Sequence, residues 1–321
     1  MGAGATAWGA ESGPGSGLIG PRGPSTAFLA QDSPAGLSGA AGLGLLGFMA
    51  VGALTAWLTL RSRGDLRPDR LRTRAERADG LSPVGWMAAG IVLWLIWQIG
   101  GSIAVQSMPP PAPGEAAESL ARTARIMWPA YAAGLGAAGI LFAALRPRLV
   151  RAGFRMKAID PLLGFGLLLV VYPFVYVAGD LSLRLTGALA RAGLTQPPEG
   201  PAHETLRLLV GEGRFDPAWW ATTLMVVFAT PVLEEVIHRG CIQTAFARLT
   251  ERPWTAIVVS SAVFSAIHLG AAPLYALPGL FVLSLGLGWA FERTGRLAVP
   301  IAMHAVFNAM NILMAALASG A

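Results

Sequence analysis

The chain has 321 residues, 54% of them hydrophobic and 13% charged, with a mean hydropathy of +0.55; soluble domains average about 25% charged residues. That balance excludes an ordinary soluble protein and reads as an all-α, polytopic membrane helix bundle. The net charge of +6 is no nucleic-acid signature, because the arginines cluster in short loops between apolar runs, and the lone Cys241 excludes an intramolecular disulfide or a cysteine metal cluster.

In chain order, residues 1–36 are rich in Gly, Ala, Pro and Ser and are expected to form a disordered tail, with no signal-peptide pattern. Apolar runs of roughly 20 residues, the length that spans a bilayer, follow near 37–60, 82–105, 126–145, 160–180, 217–247, 254–270, 275–292 and 297–317. About eight transmembrane helices are therefore expected, the sixth a short one. Segment 181–216 is the one loop long enough for an extramembrane excursion, with room for an interfacial helix. Most tryptophans fall near span ends, where they read as an interface belt.

Loops 61–80, 146–158, 248–253 and 293–296 hold sixteen Arg and Lys residues, whereas the alternate set, with the N-terminal tail, holds seven. By the positive-inside rule the arginine-rich loops are cytoplasmic and both termini face outward. Arginine supplies 23 of the 24 basic residues. With abundant Ala and Gly, this composition points to a GC-rich bacterium, and so to a multi-pass protein of the inner (cytoplasmic) membrane.

The last four spans break the apolar pattern. They contain Glu234, Glu235, His238, Arg239, His268 and His304, with Asn308 and Asn311 beside them. An ionised residue at a helix centre costs roughly 2.5–3.5 kcal/mol on insertion scales, so a shared polar interior is expected. At about 100° per residue, Glu234 and His238 share one face, while Glu235 and Arg239 form an i,i+4 ion pair on the next. His304 and Asn308 are also i,i+4. At about 1.5 Å per residue, Glu234, His268, His304 and Asn308 can converge in the cytoplasmic-to-middle part of the bilayer.

The chemistry open to such a set is narrow. A carboxylate shielded from bulk water is a general base suited to water, which a histidine can help orient. A second histidine with an asparagine offers donors to a developing oxyanion. Alternatively, Glu234, His268 and His304 make a zinc ligand set with one open position. Taken singly, each residue has a structural reading: Glu235–Arg239 as a helix-packing ion pair, His238 as a polar contact, His304–Asn308 as interhelical hydrogen bonding.

"EEVIHR" (234–239), "FSAIH" (264–268) and "HAVFN" (304–308) resemble the EExxxR, FxxxH and HxxxN motifs of the CPBP (ABI) intramembrane proteases, the family that includes the CAAX endopeptidases and bacteriocin-processing proteins. The resemblance covers about residues 217–317, which it implies are the protease domain, with 37–216 as N-terminal transmembrane helices and connecting loops. It implies Glu234 as the base that activates water with help from His268, His304 and Asn308 as oxyanion stabilisers, and Glu235–Arg239 as supporting residues. His238 falls at an x position and receives no role. A glutamate-type mechanism without a cofactor is favoured, with zinc as the alternative. The expected partners are the lipid bilayer and a membrane-associated protein or peptide, cut near the cytoplasmic leaflet. A bacterial origin argues against a prenylated CAAX substrate. Two other function classes compete: a proton-coupled transporter, disfavoured by the lack of an internal repeat, and a non-enzymatic scaffold or immunity protein. A di-iron reading of "EVIH" lacks the second ExxH that it needs.

Overall fold

A computed structural model describes residues 39–71, 78, 80–110, 119–197, 204–211 and 215–318. The expected tail at 1–36 and the loop residue His203 lie outside them. Among the described residues the structure is helical: α1 (Gly39–Ser62), α2 (Pro68–Leu71), α3 (Pro83–Ser107), α4 (Leu120–Arg151), α5 (Asp160–Arg191), α6 (Glu204–Val210), α7 (Pro217–Thr250), α8 (Pro253–Ile267), α9 (Leu277–Thr294) and α10 (Ala298–Ala318). Seven of them are long and apolar enough to cross a membrane, and α8 is the shorter apolar helix. The expected helix bundle is thus present, and the chain is a multi-pass membrane protein. α4 and α5 run past the apolar runs to Arg151 and Arg191, because a helix need not end where its hydrocarbon-facing stretch does. α6 supplies the short helix expected within 181–216.

Local chemistry sets the ends. Ser82, Ser119 and Asp216 accept hydrogen bonds from the backbone N–H groups of Gly85, Arg122 and Trp219, the capping that leaves fewer donors unsatisfied. Gly295 takes a left-handed conformation (φ 62°) to end α9. Large hydrophobics such as Phe48, Val51, Ile103, Ile140 and Leu169 stay exposed on the bundle's outside, as lipid contact requires.

α5 is the central staff, touching α1, α9 and α10. At Gly164 a Cβ would stand 2.8 Å from the Val299 carbonyl and 3.0 Å from the Met303 nitrogen of α10, so only glycine permits that approach. α3 and α4 pack together and against α7.

The ends of the bundle differ. One end gathers the arginine-rich loops. Arg293 pairs with Asp65 at 2.9 Å and Arg296 with Asp160 at 2.7 Å, while Trp254 donates to the Leu66 carbonyl and the Leu297 N–H to that of Gly153. At the other end, Leu120, Leu209, Trp219 and Ile312 form a small cluster, and Trp219 donates its indole N–H to the Leu209 carbonyl.

Candidate active site

The helix that carries Glu234 is irregular on both sides of it. π-helical turns at Met225–Ala229 and Val236–Gln243 flank the α-helical stretch Thr230–Glu235. A π turn widens the helix and breaks the i→i+4 ladder, and such turns recur at functional sites. Side chains take up backbone carbonyls here. Asn308 donates to the Val226 carbonyl at 2.8 Å, and the Thr244 hydroxyl donates to that of Arg239 at 3.0 Å.

Glu235 and Arg239 form the ion pair that their spacing predicts, at 3.0 Å, and both are fully buried. Arg239 also donates to the Ser284 hydroxyl (2.7 Å) and carbonyl (3.2 Å), and its guanidinium lies 4.8 Å from the Phe264 ring centroid. One turn on, Gln243 donates to the Gly288 carbonyl at 3.1 Å and to Glu292 at 2.8 Å, and accepts from Ser260 at 3.2 Å. Residues 235, 239 and 243 of α7 thus lie along residues 284, 288 and 292 of α9, a polar seam. At Gly288 a Cβ would come 2.7 Å from Gln243 Oε1, so the seam needs glycine there.

His304 reaches the other side of Glu235. Its Nδ1 lies 2.9 Å from Glu235 Oε1, and its Nε2 lies 4.0 Å from Glu234 Oε2. An ionised carboxylate only accepts, so Nδ1 donates to Glu235, while Nε2 faces Glu234. Glu234 Oε2 is buried and hydrogen-bonds no described protein atom. His268 caps α8, donating from Nδ1 to the Phe264 carbonyl at 2.7 Å, and lines the same cavity as Glu234 and His304. Phe264, fully buried, is the hub: its ring stands 5.1, 4.7 and 6.0 Å from the rings of His238, His268 and His304. His238 donates to the Glu234 carbonyl at 2.9 Å and is buried.

Glu234, His268, His304 and Asn308 all line one cavity of about 710 Å³, whereas Glu235, Arg239 and His238 stand behind its wall. The four side chains read from the sequence are thus brought together, but their pairing differs from the expectation. His304, rather than His268, pairs with the Glu234 carboxylate, at 4.0 Å. Residues that sequence reasoning missed include Ser284, Gln243 and Glu292; the i,i+4 spacing of Gln243 from Arg239 on α7 and the i,i+8 spacing of Ser284 and Glu292 on α9 carried the signal. Tyr131 and Thr230, hydrogen-bonded at 2.8 Å on the cavity wall, left no such trace. The remaining wall is mostly apolar and draws on N-terminal helices through Trp94, Trp97 and Val175.

The cavity extends from these side chains toward the end of the bundle opposite the arginine-rich loops. It runs from Glu234 to Thr205, Leu206 and Leu209 of α6 and to Asn311 and Ile312 of α10. No residue of the arginine-rich loops lines it. Depth counting located the side chains, but packing decides which half of the bundle is hollow. α8 is only about 22 Å long at 1.5 Å per residue, short of a hydrocarbon core of about 30 Å. It ends at His268, and the connection to α9, with Ala271 and the 3-10 turn Leu274–Ala276, lines the cavity at Ala271, Tyr275 and Ala276.

Among the described residues no three His, Cys, Asp or Glu side chains are placed to hold a metal ion, and Glu234, His268 and His304 as they stand do not form such a set.

No curated protein and no solved structure matches the chain. Residues 216–310, about a third of its length, match the family model of the type II CAAX prenyl endopeptidases, Rce1-like. The matched segment holds all three motifs and every residue of the Glu234–Glu235–His304 cluster. The segment is thus similar to the Rce1-like CAAX endopeptidases, in agreement with the intramembrane CAAX-protease kind that the motifs resemble.

Proposed function

We propose that the protein is an intramembrane endopeptidase of a bacterial inner membrane that hydrolyses a peptide bond in a membrane-associated protein or peptide, with residues 217–317 as the catalytic unit and helices of 37–216 completing its walls. The observation that carries this reading is Glu234 Oε2: a buried carboxylate oxygen on a cavity wall, unbonded to described protein atoms, 4.0 Å from a histidine nitrogen whose other nitrogen is held by a second carboxylate.

The chemistry follows from the donors and acceptors. Glu234 takes a proton from water as its oxygen attacks the scissile carbonyl carbon, and the carbonyl π electrons move onto oxygen. The proton passes to His304 Nε2, and Glu235 stabilises the resulting imidazolium as the acidic member of a catalytic triad does. Arg239 and Ser284 hold Glu235 in place. Asn308 has two amide N–H donors. One bonds Val226, and the other is available to the oxyanion from the cavity wall. When the C–N bond breaks, the amine leaves with the proton from His304. His268, on the same cavity wall, orients the attacking water. No step needs a metal.

The test is purified protein in liposomes with a quenched-fluorescence library of apolar peptides. Wild type cleaves a subset, and Glu234→Gln, inserted equally well, cleaves none. Cleavage retained by Glu234→Gln would overturn Glu234 as the base, and no cleavage by the wild type would return the scaffold reading to the front.

A further inference from the structure

We infer that the cavity takes its substrate from the extracytoplasmic face of the membrane, so that the segment cut is an apolar stretch of polypeptide presented at the outer leaflet. This inference rests on the proteolytic reading above and adds to it the side of access and the class of substrate.

Three independent observations converge. First, the contacts of Asp65 with Arg293, Leu66 with Trp254, Gly153 with Leu297 and Asp160 with Arg296 draw the four arginine-rich loops onto one end of the bundle. Sixteen basic residues on that side against seven on the other make it the cytoplasmic end.

Second, the bundle is sealed between the site and that end. Ile237, Cys241, Ile257, Leu287, Ala290 and Phe291 are all fully buried. Through them runs the seam of Arg239–Ser284 and Gln243–Ser260–Glu292, with its polar groups bonded across the helices. A polypeptide entering from the cytoplasm would have to part this layer.

Third, the cavity extends the other way. Its walls are the outer halves of α3, α4, α5, α9 and α10, and its far end is formed by α6. The polar groups spaced along it, Gln98, Thr123 and Asn311, are neutral, suited to the backbone of an extended apolar segment rather than to a charged headgroup. A volume of about 710 Å³ falls within the roughly 300–1,000 Å³ of ligand clefts.

Accessibility of introduced cysteines tests the side of access without requiring turnover. The natural Cys241 is fully buried, so the wild-type chain is the unlabelled reference. Leu206→Cys and Asn311→Cys report the cavity, Leu194→Cys the exposed end of α5, and Met156→Cys an exposed arginine-rich loop. With a membrane-impermeant maleimide on intact spheroplasts, the first three are labelled and Met156→Cys is labelled only after permeabilisation. Labelling of Met156→Cys from outside would overturn the inference. So would labelling of both cavity positions only from the cytoplasmic side, with Leu194→Cys serving where a cavity variant fails to fold. The same panel carrying Glu234→Gln keeps its labelling pattern. Correct labelling with no cleavage by the wild type would therefore sink the protease reading alone.

Discussion

The two halves of the bundle, divided at the level of Glu234, are built from the same helices on opposite rules. Toward the arginine-rich end, α7, α8 and α9 interlock, with a polar seam threaded through fully buried apolar side chains. Toward the other end, those helices splay around a cavity roofed by α6. Glu234 and His304 stand at the boundary, with their supports in the closed half and their reactive atoms on the wall of the open one. The difference shows how the bundle holds six ionisable groups together: the Glu235–Arg239 pair and its contact with His304 on one side place a carboxylate whose Oε2 faces the other. A buried ion pair is weak support for stability but strong support for placement, since its loss leaves a charge without a partner.

Substitutions that respect one half and damage the other sharpen this division. The largest effect belongs to the boundary. Glu234→Gln is expected to lower cleavage by about 10²–10⁴-fold, the usual reach of a positioned general base, with thermal unfolding of the purified protein unchanged. In the closed half, Arg239→Ala leaves Glu235 buried without its cation. A stability loss of about 3–5 kcal/mol is expected, read from chemical or thermal unfolding in detergent, and Glu235→Gln combined with Arg239→Met recovers part of it while activity stays lost. A weaker effect is expected where helices only pack: Gly164→Ala forces α5 from α10 and costs about 1–3 kcal/mol as overpacking does, with kcat unchanged once folded.

How much of this was legible in the sequence depends on what periodicity can encode. Spans, their order, the Glu235–Arg239 pair and the shared face of His304 and Asn308 follow from apolar runs and i,i+4 spacing within single helices, and depth counting permits Glu234, His268, His304 and Asn308 to converge. Partners across helices do not. His304 meets Glu235 because of how α10 lies on α7, and a one-helix wheel holds no information about that. Two π turns in α7 were equally invisible, since no residue type demands them; their trace is indirect, in Asn308 and Thr244 positioned to bond carbonyls. Gly270, two residues past the C-cap His268, takes a left-handed φ of 92° and marks the end of α8, but nothing in that signal tells which half of the bundle is hollow.

Smaller effects test finer points. Ser284→Ala removes the hydroxyl partner of Arg239 but leaves the Ser284 carbonyl as acceptor, so about 1.5–3 kcal/mol, the range for hydrogen bonds to charged groups, bounds the stability lost from above, and a modest fall in cleavage accompanies it. The smallest expected effect is none: dialysis against a chelator leaves cleavage unchanged, with metal content followed by mass spectrometry. Activity lost on chelation and restored by zinc would bring the zinc set of Glu234, His268 and His304 back.

The most direct measurement of the central claim is terminal-peptide proteomics on membranes of the native host, comparing cells that express wild type with cells that express Glu234→Gln at matched abundance. The account predicts a small set of N- and C-termini present with wild type and missing with the variant, arising within or beside apolar segments on the extracytoplasmic side. Identical sets of termini, in cells shown to express the wild-type protein and its neighbours in the membrane, would contradict it.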